Sequence, residues 1–252
     1  MHHSTNTKTR WKARLKKVPG LVQLVRLCRI LGSPAYRGEW RLMRARPDNL
    51  FQPCALTDID RYPRFFSYVR EHVPDVATSR ILSFGCSTGE EVFSLRRYFA
   101  QAEIVGIDIN PRNIKVSRKK LERSGDTRIR FALAGTPDAE PDASYDAVFC
   151  MSVLRHGGLG ATHPETCKHL IHFADFEKTV NGLCRCLKPG GYLIIGFSNF
   201  RFSDTAAAPE FDAVFKLNRS APRADTPLYD TDNKWLRDTV YNDVVFRKKG
   251  KI

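Results

Sequence analysis

The sequence lacks a long apolar run, a paired-cysteine framework and any internal repeat. Its longest apolar stretch, 21–31, is interrupted by Gln23, Arg26 and Arg29. It falls well short of the ~20 residues that a membrane span needs. No uninterrupted apolar segment with a small-residue cleavage site follows the basic start, so no secretory signal is read. The seven cysteines are odd in number and irregularly spaced, which excludes a disulfide scaffold and points to a reducing, cytoplasmic compartment. Cys184 and Cys186 stand two apart in a predicted helix, so they face different ways and make a poor metal pair; no metal site is expected. Acids are scarce at the start of the chain. Residues 1–50 carry twelve Lys or Arg against Glu39 and Asp48. Ten of the fourteen excess positive charges thus sit in the first fifth of the sequence. Such an excess suits an anionic partner, a nucleic acid or an acidic membrane surface, or else a solubilising arm.

What is present is ordinary for a globular protein: 252 residues, 42% hydrophobic and 27% charged. That length holds one α/β domain and an appendage. Residues 1–9 are polar, and 10–31 read as one or two helices broken at Pro19-Gly20. In the second part Leu21, Leu24, Val25, Cys28 and Leu31 share a face, as for a helix packed on the main domain or lying on a membrane. Segment 33–60, with Pro34, Pro47 and Pro53, reads as irregular, and 62–72 as a short helix. From residue 80 short apolar runs alternate with amphipathic stretches. Strands are expected at 80–84, 103–109, 128–133, 145–151 and 192–197, and helices at 90–99, 111–123 and 173–187. This alternation implies a parallel sheet covered on both faces. Segments 211–217 and 243–247 read as an antiparallel pair closing one edge. The division expected is an N-terminal extension over 1–75, a cap or docking segment, and a domain over 76–252.

The chemistry concentrates where the first strand meets its helix, in Phe84-Gly85-Cys86-Ser87-Thr88-Gly89-Glu90-Glu91. Glycines let such a turn approach a ligand closely, and ligands of open α/β sheets bind at the carboxyl ends of the strands. Asp108 follows at the end of the second strand, where a carboxylate can accept from ribose hydroxyls; capping the helix at Pro111 is the alternative. The spacing Gly85-x-x-x-Gly89 is not the dinucleotide fingerprint. Glu90 and Glu91 at the helix start would repel a pyrophosphate but suit an adenosyl ligand bearing an ammonium and a sulfonium.

The turn at 85–89, Asp108, Tyr145-Asp146-Ala147-Val148-Phe149-Cys150 and Leu187-Lys188-Pro189-Gly190-Gly191-Tyr192 together resemble the successive motifs of class I S-adenosylmethionine (SAM)-dependent methyltransferases. The likeness covers about 80–200. The strings 86–91, Phe149-Cys150 and 191–198 are similar to chemotaxis-type protein-glutamate methyltransferases. The resemblance implies a Rossmann-like, seven-stranded, mostly parallel sheet with helices on both faces, an antiparallel last strand and a helical N-terminal extension. It implies SAM as cofactor. Gly85, Cys86, Ser87 and Gly89 would line its methionine part, with Glu90 or Glu91 at the amino group and Asp108 at the ribose. Ile109 would flank the adenine, Ala134, Gly135 and Thr136 would lie near its edge, and Cys150, Met151 and Ser152 would floor the pocket. Three positions depart from the pattern. Ser83 replaces the acid that commonly opens the first motif, as in the chemotaxis-type enzymes. Gly135-Thr136 stand where an acid often follows the third strand. Met151-Ser152 replace the Arg-Asn pair of the chemotaxis-type enzymes, which argues against their glutamate substrate.

Methyl transfer from a sulfonium needs alignment and exclusion of water, and a base only where the nucleophile must lose a proton. His156 is the leading candidate base, with a solvent-exposed loop histidine as the alternative. His163, His169 and His172 fall in an insertion that could form a lid, and 198–202 could face the acceptor. The expected function is methylation of a small-molecule or lipid-linked acceptor. Methylation of RNA or protein, or a non-catalytic scaffold, are the alternatives.

Overall fold

The computed structural model describes residues 21–250, in two compact units that divide between Ala45 and Arg46. The polar start, the break at Pro19-Gly20 and half of the early basic residues lie outside the described residues. The first unit holds α1 (Leu21–Gly32) and α2 (Pro34–Ala45). Helix α2 corrects the irregular reading of 33–60. Pro34 occupies a first-turn position, where its missing N–H costs nothing, and Ser33 Oγ accepts from Tyr36 N at 3.3 Å as a cap. Arg37 donates to the Ile30 and Leu31 carbonyls, satisfying the end of α1. Leu24, Leu27 and Leu31 are exposed. Among the described residues no helix is long and apolar enough to cross a membrane.

The second unit is built on a seven-stranded sheet of order β3-β2-β1-β4-β5-β7-β6. The strands are β1 (Arg80–Phe84), β2 (Glu103–Asp108), β3 (Ile129–Leu133), β4 (Tyr145–Met151), β5 (Leu187–Gly196), β6 (Phe211–Lys216) and β7 (Asp243–Lys248). The first five are parallel, and β7 lies antiparallel between β5 and β6, as the pattern of 211–217 and 243–247 predicts. The helices are α3 (Pro63–His72), α4 (Glu90–Tyr98), α5 (Pro111–Ser124), α6 (Gly157–Thr162) and α7 (Phe173–Cys186).

Period-two alternation along the central strands builds two cores. Leu82, Val105, Val148 and Leu193 face Phe173, Phe176 and Val180 of α7. Ile81, Ile104, Phe149 and Ile194 face Phe65, Phe66 and Val69 of α3 and Val92 and Leu95 of α4. Burying each of these side chains stabilises the fold by about 1.5–3 kcal/mol. Helix α3 therefore belongs with the sheet unit. Strand β5 begins at Leu187 rather than Tyr192, because Lys188–Gly191 continue the strand through a register shift opposite Tyr145 and Ala147. Lys188 there pairs with both oxygens of Asp146, at 2.9 and 2.8 Å. Chain order reverses between β1 and β4, so a crevice is expected at their carboxyl ends.

Candidate active site

Gly85 N and Cys86 N both donate to Ile107 O, at 2.8 and 2.9 Å, so the chain leaving β1 folds over the end of β2. Gly85 (φ +75°), Ser87 (φ +52°) and Gly89 (φ +94°) all turn in the left-handed region. A Cβ at Gly85 would lie 2.3 Å from Val153 Cγ2, so only glycine fits. Ser87 N donates to Asp108 Oδ2 at 2.8 Å, placing the turn and the carboxylate side by side. Asp108 Oδ1 accepts from Asn110 N and Asn113 Nδ2. The cap of α5 is Asn110, whose side chain accepts from Arg112 N at 3.0 Å, so capping is not the office of Asp108. Burial raises the Asp108 pKa, and the three hydrogen bonds oppose that rise.

The two acids that open α4 differ in their surroundings. Glu90 accepts from Thr88 Oγ1 at 2.6 Å and pairs with Lys120, so its charge is already met. Its pKa is lowered: those bonds together outweigh the rise from burial, the largest single influence. Glu91 instead accepts from Ser83 Oγ at 2.7 Å. Burial pushes its pKa up to about 7, with the Ser83 bond and Arg61 opposing. Ser83 thus replaces the expected strand acid with a donor that holds a carboxylate from the helix in its place. The sequence offered both glutamates equally; the Lys120 pairing separates them. Burial first, then the negative charges of Asp108 and Glu91, raise the Cys86 pKa. Cys150 is likewise raised by burial and then by Glu91, so both cysteines stay as thiols.

The remaining expected residues lie at or just beyond the ends of β2, β3 and β4. Ile109 Cδ1 lies 2.8 Å from where a Cβ on Gly135 would sit, so the lack of a side chain at 135 lets Ile109 lie against the loop. Thr136 Oγ1 donates to Asp138. Cys150 and Met151 are buried, and Ser152 ends β4 in a left-handed conformation (φ +60°). Ser152 Oγ lies 2.9 Å from the hydroxyl of Tyr62, which stacks on Phe197 at 5.7 Å. Phe197, at the end of β5, is also left-handed (φ +58°). Such strain gathers at functional sites. Tyr62 was missed from the sequence because 90 residues separate it from Ser152 and no motif marks it.

His156 lies after β4, as the sequence places it, at the start of α6. Its Nδ1 accepts from Gly158 N at 3.1 Å and caps α6, and its backbone N donates to Asn199 Oδ1 at 2.7 Å. With Nδ1 accepting, the neutral ring carries its proton on Nε2 and has no free basic nitrogen. Burial, then His169, lowers its pKa. His163 ends α6 and reaches Ala224 O at 2.6 Å. The insertion around it is pinned by Cys167 N to Asn233 O and Phe173 N to Asn233 Oδ1. His169 and His172 are exposed. Asn199, Phe200 and Phe202 are buried, so most of 198–202 serves the core rather than facing an acceptor.

The glycine turn, Asp108 and Glu91 thus lie together where β1 and β2 end. The chain belongs to the methyltransferase-domain family, whose model matches residues 75–237. It is 32% identical over 120 residues to a demethylmenaquinone methyltransferase of Thermus thermophilus, covering 47% of each chain. It is 26% identical over 155 residues to a ubiquinone biosynthesis O-methyltransferase of Leptothrix cholodnii, covering 61% of this chain and 57% of that one. The chain spans about half the length of these curated relatives. Among solved structures, the YcgJ protein of Bacillus subtilis is 14% identical, with a TM-score of 0.49 over 76% of this chain and all of that one.

Proposed function

We propose that the chain transfers the methyl group of SAM to a small organic acceptor. One observation carries the reading: the glycine turn, Asp108 and Glu91 gather at the carboxyl ends of β1 and β2. The residues present fit the cofactor. Ser87 Oγ in the turn and Asn113 Oδ1 on α5 are buried without a hydrogen-bond partner. A carboxylate has about four acceptor sites, and Asp108 uses three. The fourth is available to a ribose hydroxyl. Glu91 would meet the amino group, Ile109 and Gly135 would bracket the adenine, and Cys150, Met151 and Ser152 would form the floor.

When bound, SAM supplies a methyl group already activated on a sulfonium. The chain's part is alignment and exclusion of water. Tyr62, held neutral because burial raises its pKa, closes over Ser152 and presents a hydroxyl to the acceptor rather than a base. His156 shapes the loop after β4 through its cap and its bond to Asn199. A glutamate acceptor like that of the chemotaxis-type enzymes is not proposed, since Met151-Ser152 stand where those enzymes carry Arg-Asn. The test is incubation of the full chain with methyl-labelled SAM and a panel of small phenols, quinols, amines and carboxylates. The proposal expects label in a small product; label only in RNA or protein would contradict it.

A further inference from the structure

Beside the carboxyl end of β5 lies a small recess, open to solvent on one side, with room for one compact group rather than a whole ligand. Phe197, Leu217, Leu228 and Val240 give it apolar walls, and Arg219 and Arg223 reach into it from the link between β6 and β7.

The charges around the recess do not balance. Arg223 forms a fork with Asp225, at 2.9 and 2.6 Å, which occupies that carboxylate. Arg219 donates only to neutral acceptors, Asn242 Oδ1 and the Tyr241 carbonyl. Burial first, and the charge of Arg223 second, lower the Arg219 pKa. Arg155, mostly buried, approaches Asp225 no closer than 3.7 Å with its own charge, and its Nε is buried without a partner. Asp243, the other acid in the wall, pairs with Lys216 at 3.1 Å. Of the charged groups that line the recess, Arg219 and Arg223 stand against one carboxylate, Asp243, an excess of one positive charge in a partly apolar wall. Guanidinium groups so placed fit the planar or tetrahedral oxygens of an oxyanion.

A series of side-chain contacts leads from the recess to the carboxyl end of β4. The Arg223 guanidinium lies 4.6 Å over the Phe197 ring, Tyr62 stacks on that ring, and the Tyr62 hydroxyl meets Ser152 at the end of β4. We propose that this recess binds a phosphate or carboxylate group of the methyl acceptor, leaving the acceptor's reacting end near Tyr62 and Ser152. The identity of the ligand as acceptor rests on the methyltransferase reading; the anion site itself does not.

The experiment is calorimetric titration of the full chain, in chloride-free buffer, with inorganic phosphate, pyrophosphate and acetate. Wild type is compared with Arg219→Gln, Arg219→Lys and the double variant Arg219→Gln/Arg223→Gln, with SAM affinity and thermal midpoint measured on each. The proposal expects one saturable site, weakened at least roughly tenfold by Arg219→Gln and further by the double change, with Arg219→Lys in between. SAM affinity should stay within about twofold of wild type. Tighter phosphate than acetate identifies a phosphorylated acceptor, and the reverse order a carboxylate. Should the glutamine variants fail to fold, phosphate protection of Arg219 and Arg223 from phenylglyoxal in the wild type gives the same reading. No saturable binding of any of the three anions, or binding indifferent to both arginines, overturns the proposal. Anion binding in a chain that does not bind SAM would leave the site standing and remove the methyltransferase reading instead.

Discussion

Glu91 gives the most informative perturbation. Its half-buried carboxyl lies beside Ser83, and desolvation pushes its pKa from the ordinary 4.5 up to about 7. A difference of that size corresponds to about 3 kcal/mol. The folded chain holds this proton more tightly than the unfolded one. The stability it contributes is therefore full below pH 4.5 and is lost as pH rises through about 7. A cationic ligand reverses the preference, because it favours the ionised form. SAM affinity should consequently rise with pH and level off above pH 7, falling roughly tenfold for each pH unit below that value. Below it, each binding event should release close to one proton, measurable by titration calorimetry in buffers of different ionisation enthalpy. Glu91→Gln keeps the size and the acceptor for Ser83 but removes the charge. It should flatten the pH dependence, weaken SAM at about pH 8, and raise the thermal midpoint of the ligand-free protein there. Affinity that keeps its pH dependence in Glu91→Gln would refute this reasoning, as would a variant that binds SAM like wild type.

Glu90→Gln is the matched control: its charge is met by Lys120 and Thr88, so SAM affinity should change by less than about 1 kcal/mol in the same titration. Gly85→Ala should lower stability by about 2–5 kcal/mol in denaturant melts, from left-handed strain and the collision with Val153. His156→Ala should cost about 0.5–2 kcal/mol of stability through the lost cap, and His156→Asn should recover most of it. Neither change at 156 should alter the shape of the pH–rate profile; loss of a limb near neutral pH would restore His156 as a base.

The sheet was legible because its signals are local. Ile81, Leu82, Ile104 and Val105 sit in short apolar runs between glycine and proline punctuation, and such runs give strands without help from distant contacts. The glycine turn and Asp108 were legible because the spacing within one strand–helix–strand unit fixes their meeting. Helix α2 was misread because Pro34 was taken as a breaker rather than as the residue after the Ser33 cap. Tyr62 and Arg155 were not legible, since contacts across 90 and 70 residues bring them to their places, and no motif marks Arg219 or Arg223. For His156 the sequence shows the residue type, while the hydrogen bond that sets its tautomer is one no sequence pattern displays.

The most direct measurement is calorimetric titration of SAM into the wild-type chain and into Asp108→Ala side by side. The account predicts binding of one SAM per chain to the wild type, and an affinity lower by about 1.5–3 kcal/mol in the variant, the cost of losing hydrogen bonds to a charged group. Equal affinities, or no saturable heat from the wild type, would contradict it.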